Sequence, residues 1–152
     1  MTAKKPKILV VDDMKSMRLT LAGTIEEQGY DVTGVEDGYQ AIDAVKKAHF
    51  DLIFMDIKMP GINGVQTFRE IKKISPGSVV VMMTGFAVED LVKEALEEGA
   101  FSVIYKPFEI EKVISLVESV LKTVLILVVD DRTSDRTDLS EIHKTKGYRL
   151  SE

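Results

Sequence analysis

Five short runs of apolar, mostly β-branched residues alternate along this chain with segments in which apolar residues recur every three or four positions. Each run predicts a β-strand and each periodic segment predicts an amphipathic helix. Strands without polar alternation, such as residues 52–55, are typical of a parallel sheet covered on both faces. The strands are predicted at residues 7–11, 30–35, 51–55, 78–83 and 101–105, and the helices at residues 14–28, 39–49, 65–74, 88–98 and 109–122. With right-handed crossovers, this order predicts an α/β fold: a doubly wound, five-stranded parallel sheet with helices on both faces.

The composition excludes several classes of protein. The chain has no cysteine and therefore forms no disulfide and offers no thiolate to a metal. Its net charge of −5 gives no indication of a surface for the phosphate backbone of nucleic acids. The apolar run at residues 8–11 is too short for a signal peptide, and no run approaches the roughly 20 residues of a membrane span. We therefore expect a cytoplasmic protein that binds neither nucleic acid nor membranes.

Polar residues stand directly after four of the predicted strands. They are Asp12 and Asp13 after the first strand, Asp56 after the third, Thr84 after the fourth and Lys106 after the fifth. Functional groups of doubly wound sheets gather beyond the carboxyl ends of the strands. We therefore expect these side chains to meet at one edge of the sheet.

The chemistry of this set favours phosphoryl transfer. Three carboxylates placed together repel one another unless a cation neutralises them, and oxygen ligands alone suit Mg²⁺. Aspartate is a competent nucleophile at phosphorus, and a lysine balances charge on the transferring oxygens. Taken singly, each residue has a plainer explanation: Asp13 would cap a helix that begins near Met14, and Thr84 or Lys106 would be a surface residue. A polar cluster without chemistry stays open as an alternative.

Four segments of the chain resemble the signature segments of response-regulator receiver domains, the phosphoacceptor modules of two-component signalling. They are ILVVDD at residues 8–13, LIFMDIKMPG at 52–61, MMTG at 82–85 and YKPF at 105–108. The resemblance covers about residues 5–122. It implies a flavodoxin-like strand order, 2-1-3-4-5.

The resemblance also implies a metal site. Asp56 would be the phosphoacceptor, and Asp12 and Asp13 would form the acidic pair of the family. Mg²⁺ would be held by Asp13, Asp56 and the backbone carbonyl of Lys58, with Asp12 acting largely through water.

Around the phosphoryl group, the resemblance implies that Thr84 and Lys106 contact the phosphoryl oxygens and that the peptide between Lys106 and Pro107 is cis. The chain departs from the family at Val103, where an aromatic residue usually turns inward as the threonine moves. The face made by the fourth helix, fifth strand and fifth helix is expected to carry the signal through a smaller shift.

The function predicted from these residues is a response regulator that is phosphorylated on Asp56 by a sensor histidine kinase or phosphotransfer protein. It would signal to a downstream output protein or domain, and it would not be a turnover enzyme. The main alternative is a degenerate receiver that acts as a phosphorylation-independent interaction module. A haloacid-dehalogenase-type phosphatase would need an aspartate where Lys58 stands. In a flavodoxin-like cofactor carrier, Asp12 and Asp13 would repel the cofactor phosphate.

The segment 123–152 repeats the beginning of the chain. At an offset of 118 positions, eleven of 25 aligned residues are identical, among them ILVVDD at residues 126–131. We therefore expect a receiver at residues 1–122, followed at 123–152 by the first strand and helix of a second receiver-like repeat from a longer tandem protein. Its apolar run, residues 123–129, is expected to promote homo-oligomers.

Overall fold

The computed structural model describes residues 5–85 and 88–122. The chain divides into two compact units, residues 1–117 and 118–152. Of the second unit, residues 118–122 are described, and they are helical. The predicted second repeat at residues 123–152, and the homo-oligomer expected from it, lie outside the described residues and stay predictions.

The first unit contains the predicted alternation of strands and helices. The strands are β1 (Lys7–Val11), β2 (Asp31–Val35), β3 (Leu52–Asp56), β4 (Val79–Thr84) and β5 (Ser102–Tyr105). The helices are α1 (Lys15–Glu27), α2 (Gly38–Lys47), α3 (Gly64–Ile74) and α4 (Glu89–Glu97), and residues 110–117 form α5. Apart from the end of α5, each predicted boundary lies within two residues of the observed one.

The five strands form one sheet in the order β2-β1-β3-β4-β5, and every neighbouring pair is parallel. Both the doubly wound fold and the strand order are therefore confirmed. In the register, Val11 lies beside Met55 and Asp56 lies beside Met83. The carboxyl ends of β1, β3 and β4 therefore reach the same edge of the sheet.

The three central strands are buried because both faces of the sheet are covered. Leu9 and Val11 of β1 pack in a cluster with apolar residues of α2, α3 and α4. Ile8 and Val10 point to the opposite face by strand alternation and are also fully buried. Burial of one such side chain contributes roughly 1.5–3 kcal/mol. This rigid centre holds the strand ends in place.

Glycines end two of the helices, and a capping box begins a third. Gly29 and Gly99 follow α1 and α4 with φ angles of +99° and +111°, a conformation that favours glycine. The side chain of Asn63 accepts a hydrogen bond from Gln66 N and forms a capping box at the start of α3. Among the described residues, no helix is both long and apolar enough to cross a membrane.

Candidate functional site

The two aspartates after β1 differ in burial and in role. Asp12 is fully buried, whereas Asp13 is exposed. Oδ1 of Asp12 accepts a hydrogen bond of 2.9 Å from the backbone N–H of Met14. The helix α1 begins at Lys15, and its N-cap residue is Met14, without a capping side chain. The plainer explanation of Asp13 as a cap of this helix is therefore wrong, because Asp12 is the carboxylate that accepts a backbone hydrogen bond ahead of α1.

The carboxylates of Asp12, Asp13 and Asp56 come together as expected. Each offers an oxygen, and these three oxygens lie within 4.8 Å of one another. The carboxylates lie close together because β1 and β3 are neighbouring parallel strands that end at the same level of the sheet. Asp56 is the last residue of β3 and is 6% exposed. The cluster therefore combines two buried carboxylates with one that faces solvent.

Lys106, the residue directly after β5, brings a positive charge into this cluster. Its Nζ lies 2.8 Å from Oδ2 of Asp12 and 3.5 Å from Oδ2 of Asp56. Its backbone N–H donates to the carbonyl of Thr84 at 2.8 Å, which ties the end of β5 to the end of β4. The Lys106–Pro107 peptide bond is cis, as the resemblance implied.

Thr84, Lys58 and Val103 were also singled out in the sequence. Thr84 is the last residue of β4 and is fully buried at the same edge of the sheet as the aspartates. Lys58 is exposed, two residues beyond Asp56. Val103 is half-buried and packs against the apolar core, whereas the ring of Tyr105 is 58% exposed. The structure therefore places an aliphatic side chain on β5 where receivers usually carry the aromatic residue.

The electrostatics of Asp56 reflect its surroundings. The pKa of Asp56 is raised from its ordinary 3.8 to about 7, and burial of the carboxyl group is the largest cause. The negative charge of Asp12 is the second cause of this rise, and the positive charge of Lys106 opposes it. A hydrogen bond with Asp12 and the negative charge of Asp13 make smaller contributions to the rise. A cation bound among the carboxylates would favour the ionised form of Asp56.

Sequence reasoning missed most of the residues that hold the loop after Asp56. A Cβ on Gly64 would lie 2.3 Å from the backbone oxygen of Asp56, and a Cβ on Gly61 would lie 2.9 Å from Cε2 of Tyr39. Gly61 also has a φ angle of +80°. A Cβ on Gly38 would meet Oγ1 of Thr67 at 2.2 Å. The sequence signal for these contacts was the pair of glycines within and directly after the loop, Gly61 and Gly64, because glycine permits close approach of another part of the chain.

A doubly wound parallel sheet with three carboxylates and a lysine at its carboxyl edge is typical of the phosphoacceptor domains of two-component signalling. Residues 8–118 match the sequence profile of the response regulator receiver domain. The chain therefore belongs to the response regulator receiver family, and the acidic cluster fits the magnesium binding and aspartate phosphorylation of that family.

Two curated relatives come from Bacillus subtilis. Protein CcdB is 42% identical over 116 residues, which cover 76% of this chain and 97% of that protein. Sporulation initiation phosphotransferase F is 34% identical over 115 residues, which cover 76% of this chain and 93% of that protein. Among solved structures, a CheY-like receiver domain protein from Methanospirillum hungatei has a TM-score of 0.77 at 25% identity and covers 79% of this chain and 96% of that one.

Proposed function

We propose that this chain is a cytoplasmic phosphoacceptor switch in which Asp56 receives a phosphoryl group from a sensor histidine kinase or phosphotransfer protein. The observation that carries the proposal is the convergence of Asp56 with Asp12, Asp13 and Lys106 at one edge of the sheet. The phosphorylated domain would pass the signal to a downstream output protein or domain by direct contact.

The residues present fit Mg²⁺. The three carboxylates offer oxygens within 4.8 Å of one another, and oxygen is the ligand that this hard cation prefers. Asp13, Asp56 and the backbone carbonyl of Lys58 would hold the ion, with Asp12 acting largely through water. When bound, Mg²⁺ would balance the charge of the carboxylates and of the phosphoryl oxygens.

The proposed transfer is one displacement at phosphorus. A carboxylate oxygen of Asp56 forms a bond to phosphorus as the bond between phosphorus and the donor's leaving atom breaks. Asp56 acts in its ionised form, and its raised pKa of about 7 means that roughly half of the molecules carry this form at neutral pH without a cation. Lys106, whose Nζ is 3.5 Å from Oδ2 of Asp56, is placed to donate to the phosphoryl oxygens. Thr84 would contact the same group.

The surface formed by α4, β5 and α5 is the proposed route of the signal. Leu96 of α4, Phe101 directly before β5 and Tyr105 of β5 expose 47%, 51% and 58% of their surface. Val103 cannot supply the ring rotation that is usual in the family, so the signal would depend on a smaller displacement of α4. Equal affinity of an output partner for the phosphorylated and unphosphorylated forms would argue against this route.

One specific observation favours the second candidate, a degenerate receiver that binds partners without phosphorylation: the aliphatic Val103 on β5. Against it, the carboxylates and the lysine are all in place. A phosphatase that turns over an aspartyl-phosphate is disfavoured because Lys58 stands where its second aspartate would be needed. We therefore propose phosphorylation confined to the chain's own Asp56.

Intact-mass measurement after incubation with a small-molecule phosphodonor tests the proposal. Wild type, Asp56→Asn and the exposed control Asp43→Asn are compared with and without Mg²⁺. We expect one phosphoryl adduct that requires Mg²⁺, that persists in Asp43→Asn and that is lost in Asp56→Asn. No adduct on wild type under any condition would contradict the proposal and favour the degenerate receiver.

A further inference from the structure

Gly34 lies within the edge strand β2, where a glycine weakens a strand unless another group needs the space. The side chain of Arg18, from α1, occupies that space. A Cβ on Gly34 would lie 3.2 Å from Cγ, 3.4 Å from Cδ and 4.0 Å from Nε of Arg18. The aliphatic part of Arg18 therefore crosses the strand at its one position without a side chain.

The guanidinium group at the end of this side chain contacts the backbone of the acidic cluster. Nη1 of Arg18 donates a hydrogen bond of 2.9 Å to the carbonyl oxygen of Asp12. The backbone N–H of Asp12 donates to the carbonyl of Val35 at 3.2 Å. Both peptide groups of Asp12 are therefore held, one by β2 and the other by Arg18.

The carbonyl that Arg18 holds belongs to the peptide that joins Asp12 to Asp13. Asp12 is also anchored by its buried carboxylate, which accepts hydrogen bonds from Met14 N and from Lys106. Asp13 is exposed, so the orientation of its carboxylate depends strongly on the peptide that precedes it. Fixing that peptide reduces the freedom that Asp13 loses when it binds a cation.

We propose that Arg18 is a positioning residue for the acidic cluster and that Gly34, which has no side chain, leaves the space that the Arg18 side chain occupies. This inference rests on the proposed function, because it concerns the cation site at Asp13 and Asp56. Arg18 touches neither the cation nor the phosphoryl group in this role; it acts through the peptide between Asp12 and Asp13. Partners that orient metal ligands from outside typically change metal affinity by about 10–100-fold when they are lost.

The first test compares wild type with Arg18→Met, which keeps an unbranched apolar stem and removes the donors. The control Lys46→Met removes the same charge from the last turn of α2, whose end lies at the opposite edge of the sheet. We expect the Kd for Mg²⁺, obtained from the dependence of Tm on Mg²⁺ concentration, to rise about tenfold in Arg18→Met and to be unchanged in Lys46→Met.

The kinetics of phosphorylation by a small-molecule donor provide a readout that a general loss of stability would not produce. In Arg18→Met, the Mg²⁺ concentration for half-maximal rate should rise about tenfold, and the rate at saturating Mg²⁺ should return to within about twofold of wild type. A rate that stays low at saturating Mg²⁺ would overturn the assignment to cation positioning.

A double-mutant comparison tests the role of Gly34. Gly34→Ala should weaken Mg²⁺ binding in wild type, because the added Cβ displaces the Arg18 stem. In an Arg18→Ala background, the same change should leave the Kd for Mg²⁺ unaltered. Equal effects of Gly34→Ala in both backgrounds would overturn the part assigned to Gly34.

An unchanged Kd in Arg18→Met, with normal Mg²⁺ binding by wild type, would overturn the inference alone, whereas failure of wild type to bind Mg²⁺ would overturn the proposed function as well.

Discussion

The ammonium group of Lys106 donates a hydrogen bond of 2.8 Å to Oδ2 of Asp12. Its distance to Oδ2 of Asp56 is longer, at 3.5 Å. The lysine is therefore held mainly by Asp12 and more weakly by Asp56, the proposed phosphoacceptor. A phosphoryl group on Asp56 would compete with Asp12 for the same donor.

Removing Lys106 should expose how strongly the cluster depends on it. Lys106→Met leaves the fully buried Asp12 without its cation, and such a change typically costs about 3–5 kcal/mol. We expect the free energy of unfolding, measured in urea without Mg²⁺ at pH 8, to fall by about 3 kcal/mol. Adding Asp12→Asn should restore much of that loss, because the unpaired charge is then gone. Strictly additive effects of the two changes would show that the contact contributes little.

The raised pKa of Asp56 makes stability depend on pH. Because the folded protein binds this proton more tightly than the unfolded chain does, ionised Asp56 destabilises the fold, and the destabilisation grows as pH rises from 3.8 to about 7. Without Mg²⁺ at pH 8, Asp56→Asn should be more stable than wild type by about 2–4 kcal/mol. Urea unfolding at pH 4 and pH 8 checks this, and the advantage should be nearly absent at pH 4. An advantage of equal size at both pH values would contradict the assignment.

Mg²⁺ should stabilise the folded chain through Asp13. At a concentration tenfold above its Kd, a ligand of the folded state contributes about 1.4 kcal/mol, so Tm should rise by a few degrees. Because Asp13 is exposed, Asp13→Asn should leave the stability of the metal-free protein within about 0.5 kcal/mol of wild type but abolish most of the Mg²⁺ effect. Thermal unfolding with and without Mg²⁺ measures both quantities. The exposed Asp43→Asn serves as the control and should keep the full shift.

The glycine at the start of α3 should tolerate no side chain. Gly64→Ala would place a Cβ 2.3 Å from the backbone oxygen of Asp56, and a backbone atom cannot move aside as a flexible side chain can. We expect a loss of about 2–3 kcal/mol in the free energy of unfolding, together with slower phosphorylation because Asp56 is displaced. The control is Gly23→Ala within α1, where a Cβ meets nothing within 4 Å. That change should stabilise the protein by about 0.5–1 kcal/mol. A neutral Gly64→Ala would show that the loop adjusts freely.

Much of this fold could be predicted because short stretches of sequence determine its strands and helices. The apolar runs and the helical periodicity placed all five strands and the helices α1 to α4 to within two residues, since burial on both faces of a parallel sheet leaves little choice of pattern. The positions of Asp12, Asp56 and Lys106 at strand ends were enough to expect a cluster, because carboxyl ends of parallel strands share an edge. The repeat at residues 123–152 was also read from sequence alone, and its structure stays a prediction.

The tertiary structure decided what depends on distances between distant parts of the chain. Asp12 and Asp13 are adjacent and chemically identical in sequence, yet one is buried beside Lys106 and the other is exposed. Taken singly, Asp13 could have been a helix cap by sequence, whereas in the structure Asp12 accepts the hydrogen bond from the backbone N–H of Met14. The contact of Arg18 with Gly34 joins a half-buried position of α1 to an edge strand, and no local sequence pattern predicts it. Such contacts follow from the packing of whole elements, so only the folded chain shows them.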